Sequence, residues 1–382
     1  MIYENITMNS NIINKNNKIN IINHFVDGAY IEIKSQIHKK FIVEFWNSNN
    51  HCEFRTEVNS NCWAKTNKKY FEGYTCKIYD EDGLLYDEKY NATGKRVYIA
   101  LDSKSLGDTL AWVPYIDEFR KKWDCHVICS TFWNHLFKDT YSELEFVEPG
   151  NIVTDLYAMY TIGWYYDELD NYNNLKNPQD FKKISLQQTA TDILGLEFKH
   201  IKAKLNLPKI ERQKKVGIAI HSTSQAKYWN NPTGWQEVTD YLIANGYEVT
   251  ILSKEEDGYM GNKNPIGATK FPSGSIENLI EELLSCEFFI GIGSGLSWLA
   301  WSLNIPTILI SGFSTPIAEF LGTDVYRVFN DDSCNGCFNR FRLDAGDWNW
   351  CPEHKGTDRQ FECTKTITFN MVKREMDKII KK

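Results

Sequence analysis

KRVYIALDSKSLGDTLAWVPYIDEFRKKWDCHVICST, residues 95–131, is the stretch on which the fold turns. Its first apolar run reads as a buried strand. The small, polar run from Asp102 to Asp108 then reads as a loop, and Leu110 to Trp123 carries apolar residues at helical spacing before a second strand ends at Thr131. That succession is one βαβ unit. The same grammar restarts in KKVGIAIHSTSQAKYWNNPTGWQEVTDYLIANGYEVTILSKEEDG, residues 214–258, with Gly246 placed to stop the helix. Two separate βαβ starts imply an α/β chain with two Rossmann-like halves, whose ligand belongs in a cleft beyond the carboxyl ends of the strands.

Ahead of residue 95 the pattern is different. AYIEIKSQI, KKFIVEFWN, HCEFRTEV, GYTCKIYDEDG and LLYDEKY are short β-type runs separated by turn signals, including Asp82-Gly83. They predict an N-terminal antiparallel sheet or barrel over residues 1–95, and nothing in it carries a catalytic signature. The first Rossmann-like half then covers 96–208, with a Tyr-, Asn- and Asp-rich linking region and a helix through SLQQTATDILGL, and the second covers 209–382.

Composition narrows the function. The chain has 382 residues, 42% hydrophobic and 24% charged, which excludes a disordered tail, a fibre or a disulfide miniprotein. With 43 basic against 50 acidic residues and a net charge of −7, it is not built to wrap nucleic-acid backbone. The Asn-rich first 24 residues have neither an apolar core nor a small-residue cleavage site, so a cytoplasmic protein is expected. Phe288 to Ala318 contains no charged residue, but its glycines and prolines break it into strand, loop, helix and strand, and lipid would leave that backbone unsatisfied. No membrane span is expected.

Three strand-end loops carry the candidate chemistry. In the first, Gly107 permits close backbone approach, and Asp108 and Thr109 open a helix. Asp108 reads either as a general base for an acceptor hydroxyl or as the helix N-cap, and spacing by itself favours the cap. In the second, Ser222, Thr223 and Ser224 offer hydroxyls and amides and Lys227 a cation, a set suited to a diphosphate and also to an ordinary solvated loop. In the third, Gly293, Ser294, Gly295, Leu296, Ser297 and Trp298 lie in GIGSGLSWLAW, residues 291–301, where helix-start amides would form an anion nest. Each loop is weak evidence. Their convergence on one cleft favours a nucleotide-linked substrate. Trp298, Trp301, Trp348 and Trp350 could stack on a base or sugar, although core packing is the default.

Cys334, Cys337, Cys351 and Cys363 follow the spacing C-x2-C-x13-C-x11-C. In a chain without a secretory signal this reads as a closed four-thiolate metal site of structural type, within residues 333–364, holding zinc or an iron centre. His354 is taken as an exposed loop histidine rather than a ligand. Cys52, Cys62, Cys76, Cys125, Cys129 and Cys286 are taken as buried thiols.

LDSKSLGDTLAW, HSTSQAKYWNNPTGW, GIGSGLSWLAWSLNIPTILISGFSTPIAEF and the late cysteine group, in that order, resemble the bacterial autotransporter heptosyltransferases, relatives of the lipopolysaccharide heptosyltransferases with GT-B architecture. The resemblance covers most of the chain. It implies transfer of heptose from ADP-heptose to serine hydroxyls of an autotransporter adhesin passenger, in the cytoplasm before export. It further implies Asp108 as catalytic base, Lys227 as donor-binding lysine, a metal finger on Cys334, Cys337, Cys351 and Cys363 with iron as the expected ion and zinc the alternative, and a large homo-oligomeric ring. No D-x-D-type motif stands in the cleft loops, so donor stabilisation is expected from Lys227 and backbone amides without a catalytic magnesium ion.

Other readings remain. The same fold could use another nucleotide sugar or another acceptor, such as lipopolysaccharide core or modified nucleic acid, or could bind a nucleotide sugar without transferring it. A nicotinamide dehydrogenase is disfavoured because LDSKSLGD lacks the G-x-G-x-x-G fingerprint.

Overall fold

The computed structural model describes residues 10–14, 19–272, 274–342 and 348–381. Most of the Asn-rich start, on which the absence of a secretory signal is read, lies outside them. Contacts divide the chain into two units, one comprising Met1–Lys104, Trp112–Phe181 and Gln188–Lys199, the other Ser105–Ala111, Lys182–Gln187 and His200–Lys382.

The first unit begins with eight strands: β1 (Ser10–Asn14), β2 (Ile19–His24), β3 (Tyr30–Ser35), β4 (Lys40–Trp46), β5 (Cys52–Asn59), β6 (Cys62–Lys65), β7 (Thr75–Asp80) and β8 (Gly83–Lys89). They form two antiparallel sheets, ordered β1-β2-β3-β6 and β5-β4-β7-β8. Alternation explains them: along β3, Ile31 and Ile33 are fully buried while Glu32 and Lys34 face outward. β1 and β2 were not legible, because Asn-rich runs have low strand propensity and pairing overrides it here.

The same unit continues as β9 (Arg96–Leu101), β10 (His126–Ser130), β11 (Glu145–Val147) and β12 (Ala158–Ile162), all parallel in the order β11-β10-β9-β12. Helix α1 (Leu106–Trp123) follows β9; its start, as far as Ala111, groups with the second unit, and the remainder buries Trp112, Tyr115 and Phe119. Short α2 (Asn134–Phe137) and α3 (Leu186–Leu194) complete its connections. A bridge from Phe25 to Ala158 joins the antiparallel part to the free edge of β12.

The second unit is a six-stranded parallel sheet made of β13 (Lys215–Ala219), β14 (Glu248–Ile251), β15 (Thr269–Lys270), β16 (Phe288–Ile292), β17 (Thr307–Ile310) and β18 (Val325–Val328). Its order, β15-β14-β13-β16-β17-β18, reverses direction between β13 and β16, the topology of a dinucleotide-binding fold. α4 (Gly234–Ala244), α5 (Ile276–Ser285), α6 (Gly295–Ser302), α7 (Glu362–Lys365) and α8 (Phe369–Ile380) belong to it. The core beneath α4 and α8 is built on Trp229, Val238, Ile290, Ile308, Val372 and Met376. The charge-free stretch 288–318 is β16, α6 and β17, and no described helix is long and apolar enough to cross a membrane.

Candidate functional site

The site grows from the reversal point of the second sheet. Where the chain leaves β13, the amides of Ile220 and His221 donate to Ser253 Oγ at 2.8 and 3.2 Å, tying this exit to the end of β14. Ser222 Oγ donates to Gly293 O at 3.4 Å, across to the loop after β16. Ser224 Oγ donates to Trp348 O at 2.6 Å and is fully buried, so its hydroxyl is committed to the Cys-rich segment; Thr223 is exposed. A single 3₁₀ turn, Gln225–Lys227, then delivers Lys227.

The Lys227 ammonium lies over the Phe313 ring, 5.4 Å from its centroid. Burial holds its pKa below the ordinary lysine range, while the carboxylates of Asp108 and Glu319 act in the opposite direction. The first and second loops of the sequence reading therefore meet. Asp108 sits in the first turn of α1, and its amide donates to Ser105 Oγ at 3.5 Å, while the Thr109 hydroxyl turns back to Ser105 O at 2.9 Å. Ser105 is the N-cap. The capping reading of Asp108 is corrected, because the helix begins at Leu106, placing Asp108 one turn too late to cap it.

The third loop meets the first as well. A Cβ on Gly107 would stand 3.2 Å from Trp298 Cδ1 and 3.3 Å from Gly295 Cα, so the two glycines let α1 and α6 start against each other. Ser294 Oγ is buried without a hydrogen-bond partner among the described residues, which leaves it free for a ligand. Ser297 Oγ instead donates to Ile292 O at 2.6 Å, and Trp298 is buried against Trp301 and Phe320, so both serve packing; Leu296 is half-buried at the start of α6.

Glu319 is the residue that sequence reasoning missed. It is 8% exposed and paired with Arg327, which also donates to Ser314 O at 2.7 Å. A Cβ on Gly293 would stand 2.7 Å from Glu319 Oε1, so a larger residue there would push this carboxylate aside. The signal was present: Glu319 is the first charged residue after the uncharged stretch ending at Ala318.

The four late cysteines gather in the same unit. Cys337 and Cys351 share an apolar cluster with Phe313, Trp348 and Phe361, and a Cβ on Gly312 would stand 2.8 Å from that of Cys363. Burial, with the neighbouring cysteines adding to it, pushes the thiol of Cys337 up to about 11 and that of Cys363 to about 12. Such mutual crowding is relieved when a cation takes the place of the protons. N–H donors already face the sulfurs: His354 N lies 3.3 Å from Cys351 Sγ, and Arg340 lies 3.8 Å from Cys334 Sγ and 3.9 Å from Cys337 Sγ. Sulfurs crowded in this way suit a thiolate-bound metal ion, but among the described residues the four do not fall within one group of ligand atoms 4.8 Å apart. His354 is not the exposed loop residue expected: its side chain is 17% exposed, and its ring lies with Cys334 and Glu362 in a group whose ligand atoms are within 4.8 Å of one another. None of the ten cysteines is disulfide-bonded. Cys76, Cys125, Cys129 and Cys286 are buried as expected, whereas Cys62 is exposed and Cys52 half-buried on outward-facing strand positions.

The family described as glycosyltransferase family 9 (heptosyltransferase) matches residues 159–340. The chain is 38% identical over 367 residues to the autotransporter heptosyltransferase BAHTCr of Citrobacter rodentium (strain ICC168), covering 92% of this chain and 87% of that protein. The crystal structure of the dodecameric iron-containing heptosyltransferase TibC in complex with ADP-D-beta-D-heptose superposes with a TM-score of 0.86 at 32% identity, covering 99% of each chain. A more distant relative, the inactive autotransporter heptosyltransferase BimC of Burkholderia thailandensis (strain ATCC 700388 / DSM 13276 / CCUG 48851 / CIP 106301 / E264), is 28% identical over 82% of this chain and 75% of its own. With this likeness running nearly end to end, the chain belongs to the autotransporter heptosyltransferase family.

Proposed function

We propose that this protein transfers heptose from ADP-heptose to serine hydroxyls of an autotransporter adhesin, in the cytoplasm before export. The observation that carries the reading is the meeting of the Asp108 carboxylate and the Lys227 ammonium at the reversal point of the second sheet. Sugar transfer requires an acceptor oxygen that loses its proton as it attacks and a diphosphate whose growing charge is stabilised as it leaves. Asp108 is assigned the first task. Lys227, the Ser294 hydroxyl and the amides at the start of α6 are assigned the second, with the α6 dipole favouring negative charge at that end.

Cys334, Cys337, Cys351 and Cys363 are the ligands assigned to a structural metal ion, iron as in TibC, with zinc as the alternative. When bound, the ion would crosslink the 334–363 segment, whose Trp348 carbonyl anchors Ser224 and Ala226 just before Lys227. The antiparallel strands of residues 10–89 form the N-terminal module of the GT-B chain, and assembly into a large homo-oligomer follows the same relative.

Side-by-side binding and transfer assays with ADP-heptose, UDP-glucose and GDP-mannose test the donor. Selective use of ADP-heptose is expected; preference for another sugar overturns the assignment while leaving the fold. The existence of an inactive relative makes binding without transfer the second reading. Asp108→Ala separates the two: transfer is expected to vanish with donor affinity within a few-fold, and near-normal turnover removes Asp108 from the mechanism.

A further inference from the structure

The first unit has a reversal point of its own. Its parallel sheet, ordered β11-β10-β9-β12, changes direction between β9 and β12, and ligands of open α/β sheets bind outside the carboxyl ends at such places. A cavity of about 170 Å³ lies along β12 at this side of the sheet, lined by Asp27, Lys69, Met159, Thr161, Tyr165 and Lys176. Thr161 lies on β12, and Tyr165 follows it. A Cβ on Gly163 would stand 2.9 Å from Asp102 Cβ and 3.0 Å from the Tyr165 hydroxyl, so the chains leaving β9 and β12 touch beside the cavity.

Its walls are built rigidly. Asn177, 1% exposed, accepts the Tyr165 amide proton at 3.0 Å and donates to Gly163 O at 2.9 Å. The Lys69 amide donates to Leu175 O at 2.7 Å, joining the antiparallel part to the segment that carries Lys176. Asp27, at a left-handed φ of 59°, is held by Lys65 at 2.5 Å and by Lys69 at 2.9 Å. Lys176 is exposed, with its ammonium over the Tyr165 ring at 4.7 Å and no carboxylate ion-paired to it among the described residues. Asp27 is thus shared by Lys65 and Lys69, and Lys176 on the cavity wall adds a positive charge that no described carboxylate pairs. A further anion is what the cavity lacks, and the Met159 and Tyr165 surfaces suit the methylene stem behind it.

We propose that this cavity is an acceptor subsite that takes the carboxylate of an aspartate or glutamate side chain on the polypeptide to be glycosylated, an assignment that rests on the protein-acceptor reading above. The glycosyltransferase family 9 match begins at residue 159, so Asp27 and Lys69 come from outside it, while Met159, Thr161, Tyr165 and Lys176 come from inside. The N-terminal strands then do more than support the enzyme: they supply half of a recognition site for a polypeptide.

Fluorescence anisotropy of the full chain with two labelled serine-containing peptides, differing only in Asp versus Asn, tests it without requiring turnover. The acidic peptide is expected to bind about five-fold more tightly, in the range of a partly exposed charge pair. Lys176→Glu should erase or invert that preference, Lys176→Arg should keep it, and ADP-heptose affinity should stay unchanged in both. Equal binding of the two peptides overturns the proposal, as does a preference that survives Lys176→Glu or an effect confined to ADP-heptose. If the acidic peptide binds as stated and no heptose reaches any peptide, the transferase reading fails and the cavity stands as an acidic-peptide site, not an acceptor subsite.

Discussion

At the scale of single residues, two opposite charges have to remain charged in a half-buried place. Burial disfavours the ammonium of Lys227, and Asp108 and Glu319 hold it only in part, so its pKa stays below that of an ordinary lysine. The sign for binding follows directly. Raising the pH removes the proton, and with it the charge that the donor diphosphate needs, before an unperturbed lysine would titrate. Donor affinity measured from pH 7 to pH 10 should therefore fall with rising pH. Lys227→Ala should be weaker by about ten-fold or more at pH 7, the range of a hydrogen bond to a charged group, and flat across the series. Lys227→Arg, whose guanidinium does not titrate in this range, should abolish the alkaline fall even where it binds less well. An alkaline fall that persists in Lys227→Arg would place the titrating group elsewhere.

At the scale of elements, legibility followed local grammar. The loop into α6 was readable because Gly293 and Gly295 punctuate an apolar run, and α4 because Gly246, at φ 79°, stops it where its carbonyls need capping. Ser105 and Asp108 stand at capping-box spacing, so a carboxylate in that first turn read as cap or base alike until the helix start was located. Glu319 was marked only by its place as the first charge after the uncharged stretch, because its role comes from Gly293 and Arg327, neither of them adjacent to it in the chain. The cysteine spacing was readable, but not the link that makes it matter: Trp348 O takes hydrogen bonds from Ser224 Oγ and from the Ala226 amide at 3.1 Å. Loss of the metal-binding segment should therefore reach the donor side. Cys351→Ser is expected to lower bound metal well below one ion per chain and to weaken donor binding, while Cys62→Ser, on an exposed strand position, changes neither. Elemental analysis with donor titration of the two variants checks this. Full metal content in Cys351→Ser would remove that residue from the ligand set.

At the scale of the whole molecule, the joint inside the first unit sets how the protein meets acid. Phe25 links the antiparallel strands to the parallel sheet: its amide donates to Tyr157 O at 2.6 Å, and its carbonyl accepts from the Met159 amide at 3.2 Å. His24, beside it at the end of β2, is stacked on Tyr30 at 4.5 Å and accepts the Val26 amide proton on Nδ1 at 3.3 Å, a bond that only the unprotonated nitrogen can make. Burial, with Lys65 adding to it, pulls its pKa from 6.5 down to about 4. Between those two values the unfolded chain binds a proton that the folded chain refuses, so stability falls as pH falls through that window. From pH 7 to pH 5 this single group accounts for a loss of about 2 kcal/mol. Urea unfolding of the first unit at the two pH values should show that loss in the wild type and a much smaller one in His24→Gln, which carries no titrating ring. Equal losses in both proteins would move the acid sensitivity away from His24. A loss confined to the wild type would assign that acid sensitivity to His24, at the joint between the antiparallel strands and β12.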